Sequence, residues 1–183
     1  MSSQGKPGKD AGSVVCSAHE GPRTPIRRRH ASSWRIEVMH GVNLDQLGRR
    51  DPLLYGTLAL PELEGRIAAD ARELGMETRF FHTNHEGAFV ERLHALDGQV
   101  DAILLNPGSW THYAWAIRDA LEIAALPALE IHLSDVENRE PWRRVSVIRE
   151  LCFATISGRG PGGYRDALTL LREELEELEE RGS

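Results

Sequence analysis

Lysine is nearly absent from this 183-residue chain: of 22 basic residues only Lys6 and Lys9 are lysine, and none follows position 9. A lysine Schiff base, a pyridoxal-type anchor and a P-loop lysine are therefore excluded from the body of the chain. Cysteine is scarce too. Cys16 and Cys152 are too few for a disulfide framework or a cysteine-rich zinc site. No apolar run approaches the roughly 18 residues of a membrane span, and positions 1–33 lack the apolar centre of a secretory signal. The expected setting is the cytoplasm, with no membrane partner. What is present is a globular composition, 40% hydrophobic and 27% charged.

Charge and composition divide the chain at about residue 33. Before it, glycine, serine and proline are abundant, no hydrophobic period appears, and basic residues outnumber acids. Residues 1–33 therefore read as a basic, disordered extension. Its Arg27, Arg28 and Arg29 are weak support for nucleic-acid binding, and no nucleic-acid partner is expected. The overall charge of −6 then places a larger negative charge on residues 34–183, the expected catalytic domain.

From Trp34 the chain alternates short apolar runs with helical periods. Trp34-Arg35-Ile36-Glu37-Val38 alternates as a half-buried strand does. Leu63, Ile67 and Leu74 mark one face of a helix that Gly75 ends. Thr78–Phe81 reads as a second strand, followed by a helix with Phe89, Leu93 and Leu96 inward. Ala102-Ile103-Leu104-Leu105 reads as a central strand covered on both faces. A helix after Thr111 is expected to bury Tyr113, Ile117, Leu121 and Ala124. Residues 127–131 and 152–156 supply two more strands, and a last helix buries Tyr164, Leu168, Leu171, Leu175 and Leu178. The pattern predicts an α/β fold: a flavodoxin-like, doubly wound, five-stranded parallel sheet with helices on both faces.

In such sheets ligands bind beyond the carboxyl ends of the strands, near the reversal of strand order. Polar residues collect after four of the expected strands: His40 with Asn43, His82 with Asn84, Asn106, and His132 with Ser134. The connection Gly48–Gly56 reads as a long loop or lid. Arg50 lies five residues before Tyr55, close enough for a folded loop to bring guanidinium to phenol. A cation there favours phenolate and suits a general base; the bland alternative is a packing tyrosine and a solvated arginine. Glu130 and His132 share one face of a strand, so the carboxylate can orient the imidazole as a general acid. His112, near an expected helix N-terminus, suits a neutral hydrogen-bonding role. Arg139 and Arg143 either clamp an anion or pair with Glu137 and Glu140.

Gly158, Gly160 and Gly163 satisfy G-x-G-x-x-G between a strand and a helix. No later strand exists to carry a ribose-binding acid, and Pro161 removes an amide, so the glycines read as a tight turn. His82, His85 and His94 lack a metal-ligand spacing, and no metal is expected.

In order along the chain come His40-Gly41-Val42-Asn43-Leu44, Leu47-Gly48-Arg49-Arg50-Asp51-Pro52 with Tyr55-Gly56, and Asn84-His85-Glu86-Gly87. Leu105-Asn106-Pro107-Gly108, Thr111-His112, Ile117-Arg118-Asp119-Ala120 and Glu130-Ile131-His132-Leu133-Ser134 follow, then Arg139-Glu140 with Arg143, and Gly163-Tyr164. Through these motifs the chain resembles the type II 3-dehydroquinate dehydratases from about Trp34 to Leu175. The resemblance implies a flavodoxin-like subunit in a homododecamer built from trimers, acting on 3-dehydroquinate in the shikimate pathway without cofactor or metal. It implies Tyr55 as proton acceptor, Arg50 as stabiliser of the transition state, and Asn43 as holder of the water that meets the enolate. His132, oriented by Glu130, becomes the proton donor. Asn106, His112, Leu133, Ser134 and Arg143 become substrate-binding residues, with Asp119 reaching in from a neighbouring subunit. Val42 stands where the family usually has proline, Asp51 where it has glutamate, and Asp135 where it has asparagine; Tyr113 and Trp115 are bulkier than the family's common residues. The competing expectations are an idle ligand-binding or scaffold homologue, spoiled at Val42 and Asp135, and a nucleotide-binding module using the glycines.

Overall fold

A computed structural model describes residues 12–16 and 33–182. Its strands are β1 (Ser13–Cys16), β2 (Trp34–His40), β3 (Met76–His82), β4 (Ala102–Asn106), β5 (Ala128–His132) and β6 (Ala154–Ser157). Its helices are α1 (Pro52–Tyr55), α2 (Leu60–Glu73), α3 (Glu86–His94), α4 (Trp115–Ala124) and α5 (Gly163–Arg181), with short 3₁₀ turns between. The sheet order is β1-β6-β5-β4-β2-β3. All neighbours from β6 to β3 run parallel.

The expected five strands are thus six. The extra one, β1, lies in the segment read as disordered and pairs antiparallel with β6, Ser13 opposite Ser157 and Cys16 opposite Ala154. Ser-Val-Val-Cys is too short for its period to stand out. An edge strand gains its ladder from backbone groups, which composition does not display. The rest of the expected basic extension, including Arg27, Arg28 and Arg29, lies outside the described residues.

Two apolar cores sandwich the parallel strands. Ile36 and Val38 of β2 and Leu104 of β4 meet Leu63 and Ile67 of α2 and Leu168, Leu171 and Leu175 of α5. Met39 of β2 and Ile103 and Leu105 of β4 meet Phe89 and Leu93 of α3 and Ile117 and Leu121 of α4. Strand side chains alternate between the two cores because successive residues point to opposite faces. This corrects the reading of β2 as half-buried: Glu37, which made the run look amphipathic, is fully buried and its Oε1 accepts from Arg92 Nε of α3 at 2.6 Å. A buried carboxylate persists only when paired, and Arg92 supplies the pairing. Tyr113 is a second correction. It ends a 3₁₀ turn before α4 and is 56% exposed rather than buried. Gly75, at φ 73, closes α2 in the left-handed conformation that glycine tolerates best.

Candidate active site

The strands run further than their apolar runs suggest. His40, His82, Asn106 and His132 are the last residues of β2, β3, β4 and β5 rather than the first residues beyond them. They form part of one polar edge, and the strand order reverses there between β2 and β4. The loops leaving these two strands touch. A Cβ on Gly41 would lie 2.3 Å from the Pro107 carbonyl oxygen, and one on Gly108, at φ 68, would lie 2.6 Å from the Val42 carbonyl oxygen. Only glycine allows this approach. Asn43 follows at φ 65, a conformation asparagine tolerates. Its amide donates to Asn84 Oδ1 at 2.7 Å, so Val42 does not leave the loop unanchored.

A pocket of about 240 Å³ opens at this reversal. Asn43, Arg50, Tyr55, Asn106 and His112 line it, as do His132, Leu133, Ser134 and Arg143. Two expected site residues are elsewhere. Glu130 lies fully buried behind His132, and Asp119 is on the exposed side of α4, outside this pocket.

Tyr55 comes from α1, a single turn inside the segment read as loop. Asp51 caps it, its carboxylate accepting from the Leu53 amide at 2.9 Å, and Pro52 occupies the first turn. Asp51 is therefore well suited to its position. Arg50 Nη2 donates to the Tyr55 hydroxyl oxygen at 2.7 Å, and Arg139 Nη1 donates to the same oxygen at 2.8 Å. Two guanidinium donors on one phenol oxygen fix the direction of that hydroxyl. The contribution of Arg139 is not legible in its spacing, which offers only a clamp with Arg143 or pairing with acids. Pairing does occur: Arg143 Nε donates to Glu140 Oε2 at 2.9 Å, and Arg139 Nε lies 3.4 Å from the same carboxylate.

Opposite charge chemistry surrounds His132. Its Nε2 lies 2.7 Å from Glu130 Oε1, so the carboxylate holds the ring by that nitrogen. Thr111 Oγ1 also donates to Glu130 Oε1, and Ser146 Oγ donates to Oε2 at 2.8 Å. Burial opposes charge on Glu130, but His132 beside it and the hydrogen bonds from His132, Thr111 and Ser146 hold its carboxyl below the usual range. The result is a fixed carboxylate that fixes an imidazole. His112 Nδ1 lies 2.6 Å from the Val145 carbonyl oxygen, which makes Nδ1 the donor and Nε2 an acceptor. Burial holds His112 below the usual histidine range, and the charges of His132 and Arg143 add to this. The expected neutral role therefore has a cause other than a helix terminus.

Asp135 does not intrude on the pocket. Its carboxylate caps a 3₁₀ turn, accepting from the Glu137 amide at 3.2 Å and from Asn138 Nδ2 at 2.7 Å. The glycine motif is a turn, as expected: the Gly158 amide donates to the His132 carbonyl at 3.3 Å and the Gly160 amide to the Leu133 carbonyl at 3.1 Å. Those amides brace the end of β5 instead of facing a phosphate. Among the described residues no group of three or more His, Cys, Asp or Glu side chains is placed to hold a metal, and no helix is long and apolar enough to cross a membrane.

Residues 34–172 match the model of the family described as dehydroquinase class II. The chain is 44% identical over 144 residues to a 3-dehydroquinate dehydratase of Thermotoga maritima, covering 79% of this chain and 99% of that protein. It is 45% identical over 142 residues to one of Pelobacter propionicus, covering 77% and 95%. Among solved structures, the type II dehydroquinase of Propionibacterium acnes superposes with a TM-score of 0.74 at 36% identity, covering 79% of this chain and 99% of that one. The type II dehydroquinase of Butyrivibrio crossotus gives 0.73 at 35% identity, covering 76% and 97%. With the match covering residues 34–172, and so every strand that borders the pocket, the chain belongs to the class II dehydroquinase family.

Proposed function

We propose that Tyr55 and His132 carry out the dehydration of 3-dehydroquinate to 3-dehydroshikimate in this member of the family, Tyr55 as base and His132 as acid. The observation that carries the reading is the Tyr55 hydroxyl held by two guanidiniums in the pocket that also contains the Glu130–His132 pair. Tyr55, as phenolate, takes a proton from C2, and the electron pair moves onto the ketone oxygen as an enolate. A water held by Asn43 meets that developing charge. The enolate collapses to form the ring double bond while the C1–oxygen bond breaks. His132 delivers a proton to the departing hydroxyl, which leaves as water. Proton return from Tyr55 to His132 through solvent closes the cycle. No cofactor or metal enters any step.

Asn106, His112 and Arg143 bind the substrate hydroxyls, and the Leu133–Ser134 segment its carboxylate. Asp119 completes the site from a neighbouring subunit, in a trimer that assembles further into a dodecamer. The exposed α4 face supports this part of the reading: Trp115 and Ile123, four residues either side of Asp119, are 63% and 69% exposed. Strand order and two-sided helical cover support the flavodoxin-like, doubly wound description. The substrate and product are small polar molecules, in keeping with a cytoplasmic setting. Purified protein mixed with 3-dehydroquinate is expected to generate the ultraviolet absorption of a conjugated enone. His132→Ala should lower kcat by about 10²- to 10⁴-fold; parent-like turnover in that variant would remove His132 from the chemistry.

A further inference from the structure

Behind the pocket, on the side of the sheet covered by α2 and α5, lies a polar cluster of which the proposed reaction uses Asn106 alone. His40 is fully buried, and neither ring nitrogen makes a hydrogen bond. Tyr164 of α5 is 1% exposed, and its hydroxyl likewise makes none. The two rings lie 6.1 Å apart between centroids, and Phe80 stacks on the His40 ring. Glu64 of α2 brings Oε1 to 3.8 Å from His40 Nε2, beyond hydrogen-bond length. Asn106 neighbours the Tyr164 hydroxyl without full hydrogen-bond geometry.

An unmet buried polar atom costs about 1–3 kcal/mol, and folded proteins commonly meet such atoms with internal water that makes about three hydrogen bonds. The cluster has the required chemistry. Burial, with the charge of His82 added, pushes the His40 imidazole down to about 3, so the ring is neutral and offers one donor and one acceptor. Tyr164 offers a hydroxyl, Glu64 a carboxylate and Asn106 an amide.

We infer that His40, Glu64 and Tyr164 form an internal water-binding site that orients the Asn106 side chain, which makes His40 and Tyr164 positioning residues for the pocket. Asn106 stands between the two regions. It lines the pocket and is the register partner of His40 across β2 and β4. Its Oδ1 accepts from the Gly108 amide at 3.2 Å. Water held at Tyr164 supplies the second restraint that fixes the amide plane. The kinetic part of this inference rests on Asn106 binding substrate; the structural part does not.

A high-resolution crystal structure of the unliganded full chain tests the water directly. Ordered water within hydrogen-bond distance of the Tyr164 hydroxyl and a His40 ring nitrogen is expected, and a dry cluster overturns the inference whether or not the chain turns over. Tyr164→Phe removes one oxygen and keeps the ring. It should raise KM about tenfold, the equivalent of about one hydrogen bond, with little change in kcat. His40→Leu should reproduce that rise, and His40→Asn, which keeps a donor and an acceptor, should restore parental KM. Unchanged KM in a folded Tyr164→Phe protein overturns the positioning role, and this variant decides the matter even if His40→Leu does not fold.

Discussion

Arg139 and Tyr55 are 84 residues apart in sequence, yet Arg139 Nη1 lies 2.8 Å from the tyrosine hydroxyl oxygen. With Arg50 on the same oxygen, the phenol is fixed in direction. A guanidinium from the turn after β5 thus ties the α1 segment to the strand end that bears His132.

Arg139 is accordingly predicted to matter as much as Arg50. Arg139→Gln removes the charge and one of the two guanidinium donors that hold the proposed phenolate base, and should lower kcat/KM by about 10²-fold, at the low end of what a positioned general base supplies. Arg139→Lys should recover only part of this, because an ammonium lacks the planar fork. Steady-state kinetics alongside a melting curve separates loss of chemistry from loss of fold.

Gly41→Ala is expected to damage both stability and activity. The added Cβ would sit 2.3 Å from the Pro107 carbonyl oxygen, so the β2 and β4 loops must part. Overpacking of this kind costs about 1–3 kcal/mol or more, and Asn43 moves with its loop. Thermal melting and turnover should fall together; Gly65→Ala, where a Cβ meets nothing within 4 Å, is the control.

Acid should destabilise the fold through His40. Its imidazole is near 3 when folded and near 6.5 when unfolded. Above about 6.5 both states are neutral and the group is silent. As pH falls from there toward 3, the unfolded state takes up the proton first, and stability is lost at up to about 1.4 kcal/mol per pH unit. Burial raises Glu64, which works in the opposite sense, since the folded state then binds its proton more readily. The melting temperature should therefore drop from about pH 7 to about pH 5, and His40→Asn should flatten that drop.

Removal of residues 1–16 should leave turnover within about threefold of the parent. Among the described strands β1 borders β6 alone, whereas the pocket opens at β2 and β4, and loss of a short edge strand is a stability effect. Kinetics and melting of the truncated chain check this; loss of turnover in a folded truncation would place the segment in the site.

Much of this arrangement is visible in the sequence, for identifiable reasons. Leu168, Leu171 and Leu175 reveal the inner face of α5 because helical spacing repeats over five turns. Glu130 and His132 reveal their pairing because a strand returns to the same face after two residues. Arg139 escapes such reasoning, since its partner is set by tertiary folding of two irregular segments. β1 escapes it because backbone pairing at an edge leaves little side-chain pattern. Glu37 misleads outright: a charge on a central strand reads as solvent-facing until Arg92 from another element is seen beside it. The roles proposed for Asn43 and Asp119 rest on the resemblance of motifs in order, since local spacing offers none.

The proposed role of Tyr55 as proton acceptor depends on a single oxygen atom. Tyr55→Phe keeps the ring under Arg50, whose guanidinium carbon lies 3.7 Å from its centroid, and removes only the oxygen that both arginines hold. Ultraviolet turnover of 3-dehydroquinate by this variant, measured beside the parent at equal folded concentration, is the direct test. The account predicts enone formation by the parent and a loss of about 10²-fold or more in the variant; parental turnover without the hydroxyl would contradict it.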